Sequence, residues 1–370
     1  MIAYGWLINW YQQKWNTIDT AVIQETEPVT TISLIIPARN EESHMDRLIQ
    51  ALLAQTYPKN LLEIVIIDDH SSDQTADIAK KYAAENKHIK MIPLKDHLEG
   101  NQSMAFKKKA IATGIEHSKG ELIITTDADC SFDRNWLKSM VSFYEQKKPA
   151  FIAAPVRIIA GNSILSKFQA VDFLTLQGIT GAAVQGRFHS MCNGANLAYT
   201  REAYTSVNGF EGIDHLPSGD DMLLMHKIYL RFPESVYYLK AMSAIVDTEP
   251  QPTWRSFFQQ RIRWASKSTS YQDKRIFWVL LLVYLLNVFF LGAIIGSFFN
   301  SKLAFFTLLF FIAKVLIEFP FINTIASFFS MKPLLLYHIL LQPLHIIYTV
   351  MAGWLGKFGS FEWKGRQIKK

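Results

Sequence analysis

Cysteine is almost absent from this 370-residue chain: Cys130 and Cys192 are the only two. That count excludes a disulfide scaffold, and the pair reads as free thiols in a reducing compartment. Charge is sparse too, at 19% of residues against 49% hydrophobic, a low share for a soluble protein. Glycine-rich phosphate loops are missing. No Gly-x-Gly-x-x-Gly follows an apolar run and no Gly-x-x-x-x-Gly-Lys-Ser/Thr occurs, which argues against a dinucleotide oxidoreductase and a P-loop nucleotidase. There is no internal repeat and no low-complexity segment. The basic run Lys107-Lys108-Lys109 has no aromatic stacking array beside it, so no nucleic-acid partner is expected.

What the chain does have is apolar length. Between Ile276 and Met351 the only charged residues are Lys302, Lys314, Glu318 and Lys332. Three apolar stretches, 276–299, 303–325 and 333–356, each reach the ~20 residues a helix needs to cross a bilayer. The middle one carries Lys314, Glu318 and Pro320, and is expected to be re-entrant or to lie flat. An i, i+4 pairing of Lys314 with Glu318 would instead let it span. Two crossings would leave the tail, with Lys357, Lys364, Arg366, Lys369 and Lys370 against Glu362, on the same side as Lys267, Lys274 and Arg275. By the positive-inside rule that side is the cytosol. His338 and His345, seven apart, could share one helix face, as functional groups or as packing hydrogen bonds. Met1 to Trp15 is too short to span, and its Trp6, Trp10, Tyr11 and Trp15 suit a helix lying in the headgroup zone.

From Ile32 to Tyr271 the pattern alternates. Continuous apolar runs at 32–36 and 64–67 read as strands buried on both faces, with Pro37 ending the first, and 88–93 and 122–126 read as a third and a fourth strand. Helical periodicity fills 41–55, 73–84 and 104–117, with Ser71 and Ser72 capping the second of these. The fold class is therefore α/β, a mostly parallel sheet flanked by helices, followed by C-terminal transmembrane helices. The expected divisions are an interfacial segment at 1–28, an α/β domain at 29–271, a membrane region at 272–356 and a basic tail at 357–370. Ligands in such sheets bind beyond the carboxyl ends of the strands. Pro37-Ala38-Arg39-Asn40-Glu41, Asp68-Asp69 and Asp127-Ala128-Asp129 all fall at that edge.

Further along come Asp220-Asp221 and Gln260-Arg261-Ile262-Arg263-Trp264, the latter just ahead of the first apolar stretch. Two acidic sites and a basic-aromatic clamp in front of a membrane segment point to transfer of a phosphate-activated group at a bilayer surface. The net charge of +6 suits such anionic company.

These residues resemble the family 2 glycosyltransferases of the GT-A fold. Ser33 to Glu42 is similar to that family's opening strand and loop, and Ile66 to Thr75 to its second-strand motif. Lys107 to Gly114 is similar to its lysine-bearing helix, although Phe106 stands where glycine is common. Asp127-Ala128-Asp129 matches its metal-binding acidic motif. Ser218-Gly219-Asp220-Asp221 lies where members carry Glu-Asp, with Asp220 in place of the glutamate. Gln260, Arg263 and Trp264 match its Gln-x-x-Arg-Trp spacing. The resemblance covers Ile32 to Ser270 and implies a nucleotide-sugar donor, usually of uridine. It does not identify the sugar or the acceptor.

Chemistry distributes the roles. A departing diphosphate is best stabilised by a divalent cation, Mg²⁺ or Mn²⁺, which takes one or two carboxylates plus phosphate oxygens. Asp129 fits as its ligand, and Asp127 as holder of the ribose or of a metal-bound water. Asp69 can accept from a ring N–H of the base, and Lys107 can meet the diphosphate. Pro37, Ala38, Asn40 and Glu41 line the nucleotide's edge. A single inverting displacement needs one general base, assigned to Asp221, with Asp220 as its binding neighbour and cap of the helix that follows. Gln260, Arg263 and Trp264 share one helix face, the arginine for diphosphate and the tryptophan for a sugar ring. Arg255, Arg261, Lys267 and Lys274 would lie on lipid. Asn193-Gly194-Ala195-Asn196 either lines the acceptor pocket or is structural.

The acceptor is expected to be a lipid or a membrane-associated glycan. The expected setting is the inner cell membrane, multi-pass, with the catalytic domain cytosolic. The alternatives are a processive polysaccharide synthase and, from another class, an inactive membrane transport or scaffold protein.

Overall fold

The computed structural model describes residues 1–23, 26–97, 105–188, 191–216, 218–266, 273–358, 361–363 and 366–368. Met104, Lys267, Ser270, Tyr271, Lys364, Lys369 and Lys370 lie outside these residues. Two compact units form, each discontinuous in sequence. One joins Ile18–Arg157 to Val184–Glu249, and the other joins Met1–Thr17, Ile158–Ala183 and Pro250–Lys370.

The first unit is built on ten strands: β1 Ile32–Ala38, β2 Leu62–Asp68, β3 Ile89–Pro93, β4 Leu122–Thr125, β5 Ser131–Phe132, β6 Phe151–Ala153, β7 Val156–Ile158, β8 Leu197–Thr200, β9 Val236–Tyr238 and β10 Val246–Thr248. Seven form one sheet in the order β3-β2-β1-β4-β8-β6-β9, and β5-β10-β7 form a second. Only β8 runs against its neighbours in the large sheet. Leu34, Ile35, Ile36, Ile64, Val65, Ile66, Ile67, Leu122, Ile123 and Ile124 are fully buried, as their unbroken apolar runs require. Each such side chain contributes about 1.5–3 kcal/mol by leaving water.

Pro37 does not end β1, which continues to Ala38 with Pro37 opposite Ile67. Thr126 N donates to Ile35 O, so odd-numbered residues of β1 face β4. Pairing with β4 stops at Ile35 and Thr125, since Pro37 has no N–H with which to extend that ladder. The helix Phe106–Glu116 packs on the sheet through Gly114. A Cβ at that glycine would come within 2.7 Å of both Ile35 Cγ2 and Ile67 Cδ1.

Ser71 and Ser72 do not cap the next helix, which spans Thr75–Glu85. The Asp73 carboxylate accepts from Thr75 N and Oγ1, and the serines are drawn instead to Asp68 and Asn40.

The second unit is helical: Ile2–Asn16, Ile164–Gln185, Trp254–Ala265, Lys274–Ser297, Ser301–Phe328, Leu335–Leu340 and Gln342–Phe358, with a short hairpin at 361–363 and 366–368. The helices Lys274–Ser297 and Ser301–Phe328 are long and apolar enough to cross a membrane. The expected interruption of the middle stretch is absent, because Ser301–Phe328 runs unbroken with Pro320 inside. Lys314 and Glu318 meet at 2.6 Å and are buried, so neither charge faces outward. The break falls in the third stretch, where Lys332–Leu340 and Gln342–Lys357 are bent by 69°. Pro343 sits just inside the later helix, where its missing N–H costs nothing, and it disfavours helix in the residue before it.

His338 and His345 therefore lie on opposite sides of a bend and share no face. His338 lies 3.0 Å from Gln342 Nε2 and 3.3 Å from Glu318 Oε2, while His345 lies 3.3 Å from Asp172 Oδ1. The N-terminal segment is helical, and one side of it is committed to packing. Tyr4 donates to Glu318, Tyr11 stacks on Phe321 and Trp15 meets Phe328 edge-on, while Trp6 stays exposed.

Candidate active site

Because β2, β1 and β4 are parallel neighbours, the segments that follow them share one edge of the sheet. Two loops are laced together there. Arg39 Nη1 donates to Asp69 O at 2.8 Å. Asn40 N donates to Ser71 Oγ at 3.0 Å, and Ser72 N to Asn40 Oδ1 at 2.9 Å. Glu41 N donates to Thr75 Oγ1 at 2.7 Å. Asn40 and His70 both take the left-handed conformation (φ 52° and 54°), a turn that asparagine tolerates better than most residues. Asp69 is buried, with its carboxylate 2.9 Å from His70 Nδ1.

Asp127 and Asp129 follow β4 and are partly exposed. Lys107, near the start of the helix Phe106–Glu116, reaches Asp127 Oδ1 at 2.7 Å and Asp220 Oδ2 at 3.3 Å. Burial works against its ammonium, but those two carboxylates, with Asp221 near, hold its pKa well above the ordinary lysine value. The residues before β8 arrive at the same edge because that strand is antiparallel. Thr125 Oγ1 donates to Gly194 O at 3.2 Å. A Cβ on Gly194 would stand 3.0 Å from Asp220 Oδ2 and 3.2 Å from Lys107 Nζ, so only glycine lets the backbone come this close without a shift.

Its neighbour Asn196 is structural. Its side chain accepts from Trp136 Nε1 and donates to Pro155 O and Ala244 O in the core. From the small sheet, Thr248 Oγ1 approaches Asp129 Oδ2 at 3.4 Å. Burial, then the charges of Asp129 and Asp127, push the Cys130 thiol well up, so this free cysteine is a packed, unreactive one.

Of the two acids of the later motif, the helix cap falls to the one not expected there. Asp221, not Asp220, sits at the N-cap of the helix Met222–Arg231, accepting from Met222 N at 2.7 Å. Asp220 turns to Lys107. The reason is Gly219, whose φ of +85° redirects the chain one residue before the pair.

Among the described residues no group of three or more His, Cys, Asp or Glu side chains could close around a metal. Two carboxylates at a strand end fit an ion of the Mg²⁺ or Mn²⁺ type, which completes its shell with phosphate and water oxygens.

Gln260, Arg263 and Trp264 belong to the helical unit and are described within it. The helix Trp254–Ala265 opens with a capping box between Thr253 and Ser256. All three residues are half-buried. The residue between them organises this face. Arg261 is buried, bonds Asp172 Oδ2 at 2.8 Å and Gln260 Oε1 at 2.8 Å, and lies 4.2 Å from the centre of the Trp264 ring. It was expected on lipid. Instead Asp172 holds it inward, with Tyr348 donating to the other carboxylate oxygen at 2.5 Å. Nothing in the local sequence announces that partner, which is 89 residues away.

Family models match twice, Glycosyl transferase family 2 over residues 33–207 and Glycosyl transferase family group 2 over residues 122–355. The chain belongs to the family 2 glycosyltransferases. Probable glycosyltransferase YdaM of Bacillus subtilis is 27% identical over 241 residues, 63% of this chain and 54% of that protein. Poly-beta-1,6-N-acetyl-D-glucosamine synthase of Staphylococcus epidermidis is 26% identical over 247 residues, 66% of this chain and 56% of that protein. The chain thus spans little more than half the length of these curated relatives. Among solved structures, the mannosyltransferase PcManGT of Pyrobaculum calidifontis, in complex with GDP-Man and Mn²⁺, superposes with a TM-score of 0.58 at 18% identity, covering 93% of this chain and 95% of that one. The fold is of the GT-A type.

Proposed function

We propose that this protein is an inverting glycosyltransferase that moves a sugar from a nucleotide-sugar, most simply a UDP-sugar, to a lipid or membrane-associated acceptor. The observation that carries this is the Lys107 ammonium held between Asp127 of one acidic motif and Asp220 of the other. A cation caged by carboxylates at the sheet's carboxyl edge is suited to meet a diphosphate. Asp69, with Pro37, Ala38, Asn40 and Glu41, holds the nucleoside. Asp129, with Asp127 beside it, would hold a divalent ion, which when bound offsets charge on the departing diphosphate. Asp221 takes the proton of the acceptor hydroxyl as that oxygen attacks the anomeric carbon from the face opposite the leaving group. Its cap bond from Met222 N fixes the carboxylate's orientation. Gln260, Arg263 and Trp264 bind the diphosphate and sugar.

The long apolar helices support a membrane-borne acceptor and a multi-pass enzyme with its catalytic unit in the cytosol. The similarity to a polysaccharide synthase favours, as a second reading, repeated addition to a growing glycan.

The test uses the purified full chain in detergent with Mn²⁺ and a panel of sugar nucleotides, UDP-N-acetylglucosamine and GDP-mannose among them. Nucleoside diphosphate release is measured with and without membrane lipid extract. One donor should be consumed, faster with lipid. EDTA and Asp129→Ala should each abolish the reaction. Full turnover in metal-free buffer removes the ion from the reading, and no turnover of any donor removes the reading itself. Product length separates single transfer from chain growth.

A further inference from the structure

The residue after Lys107 has no place in the scheme above, yet it is among the most buried lysines of the protein. Lys108 is 2% exposed. Its Nζ donates to Ile213 O at 2.6 Å, Leu216 O at 2.8 Å and Ser218 O at 2.9 Å. These carbonyls belong to the connection between the helices Arg201–Ser206 and Met222–Arg231. That connection has no ladder to satisfy its backbone, so its buried carbonyls need donors from elsewhere. A second lysine serves its earlier part, where Lys227 Nζ donates to Gly209 O and Glu211 O, both at 2.7 Å.

Withdrawing an ammonium from water costs several kcal/mol unless strong acceptors replace the water, and three converging carbonyl dipoles do so here. The last of them, on Ser218, lies two residues before Asp220. Neighbouring lysines on one helix thus act on one acidic motif. Lys107 meets the Asp220 carboxylate, and Lys108 holds the backbone that delivers it.

We propose that Lys108 is a positioning residue: its ammonium gathers the carbonyls of Ile213, Leu216 and Ser218 and so sets Asp220 and Asp221 beside Lys107 and Asp127. The inference rests on the reading of Asp221 as the base. It makes the cation, rather than bulk at this position, the requirement. The carbonyl cluster resembles a cation site whose ion is supplied by the protein itself.

The test compares wild type, Lys108→Gln and Lys108→Ala as full chains with the donor that the panel identifies. Lys108→Gln should lower kcat by roughly 10–100-fold with donor KM within about threefold, since small misplacements of a reacting group carry costs of that order. Methylammonium should restore part of the kcat of Lys108→Ala and leave wild type unchanged. Hydrogen exchange in both variants should rise at 207–221 and stay unchanged over β1, β2 and β4. A wild-type kcat in Lys108→Gln overturns the proposal. So does a loss that follows unfolding of the whole unit without rescue by the amine. If Lys108→Ala does not fold, the kcat and KM of Lys108→Gln decide. If wild type consumes no donor, the glycosyltransferase reading fails by itself, and unchanged exchange at 207–221 in Lys108→Gln would separately overturn the anchoring role.

Discussion

At the scale of single residues, two adjacent aspartates show how position divides chemically identical groups. Asp220 lies against an ammonium and Asp221 against a helix N-terminus, and Gly219 makes the difference by turning the chain through a positive φ. An acidic doublet before a helix was legible as a motif. The assignment of cap and partner was not, since it depends on a backbone angle and on Lys107, which is more than a hundred residues earlier. With Asp221 as the base, Asp221→Asn should keep donor affinity within a few-fold and lower kcat by roughly 10²–10⁴. Steady-state kinetics together with a direct donor-binding titration check this. Loss of donor binding at unchanged kcat would make Asp221 a binding residue.

At the scale of elements, the helical unit is joined by a buried ion pair between the helices Ile164–Gln185 and Trp254–Ala265. Burial alone would raise the Asp172 pKa, but Arg261, with help from His345 and Tyr348, holds it down to about 2. A carboxyl depressed in this way adds stability that is fully present above its unfolded value of about 3.9. That stability is lost as pH falls toward about 2. Arg261→Met leaves the carboxylate buried without its cation and should cost about 3–5 kcal/mol. Thermal unfolding in detergent should show a lower Tm at neutral pH, with acid loss beginning at higher pH than in wild type. An unchanged Tm would mean that the pair contributes nothing. The periodicity that placed Gln260, Arg263 and Trp264 on one face holds. That Arg261 anchors this face from inside could only come from the tertiary partner.

At the scale of the whole molecule, the question is how many times the chain crosses a bilayer. Two unbroken apolar helices are long enough to cross, and the bent pair would make a third span if it crosses as one; we propose that it does not, which leaves two full crossings with the interruption in the third stretch rather than the second. That even number would return the tail to the side of Lys274 and Arg275, as the charge bias favours. A cysteine placed after Lys370, in a background lacking Cys130 and Cys192, should therefore resist an impermeant maleimide in intact cells and react after permeabilisation. Labelling in intact cells would make the bent pair a third crossing.

The first four strands, the helices between them, the motif order and the apolar C-terminus were legible in the linear chain, because each rests on hydrophobic spacing or on neighbours a few residues apart; the short later strands, two to four residues each, carry too few positions to show a period. The pairing of Lys314 with Glu318 was legible for the same reason, being one helical turn. The tertiary structure alone decided which carboxylate takes which partner, that Gly194 lets a backbone approach Lys107 and Asp220, and that Arg261 and Lys108 are buried anchors. For the charged groups among these the physical reason is shared. A buried charge is tolerated only beside a compensating group, and for Lys107, Lys108 and Arg261 that group is supplied from distant parts of the chain, a proximity that no local pattern encodes.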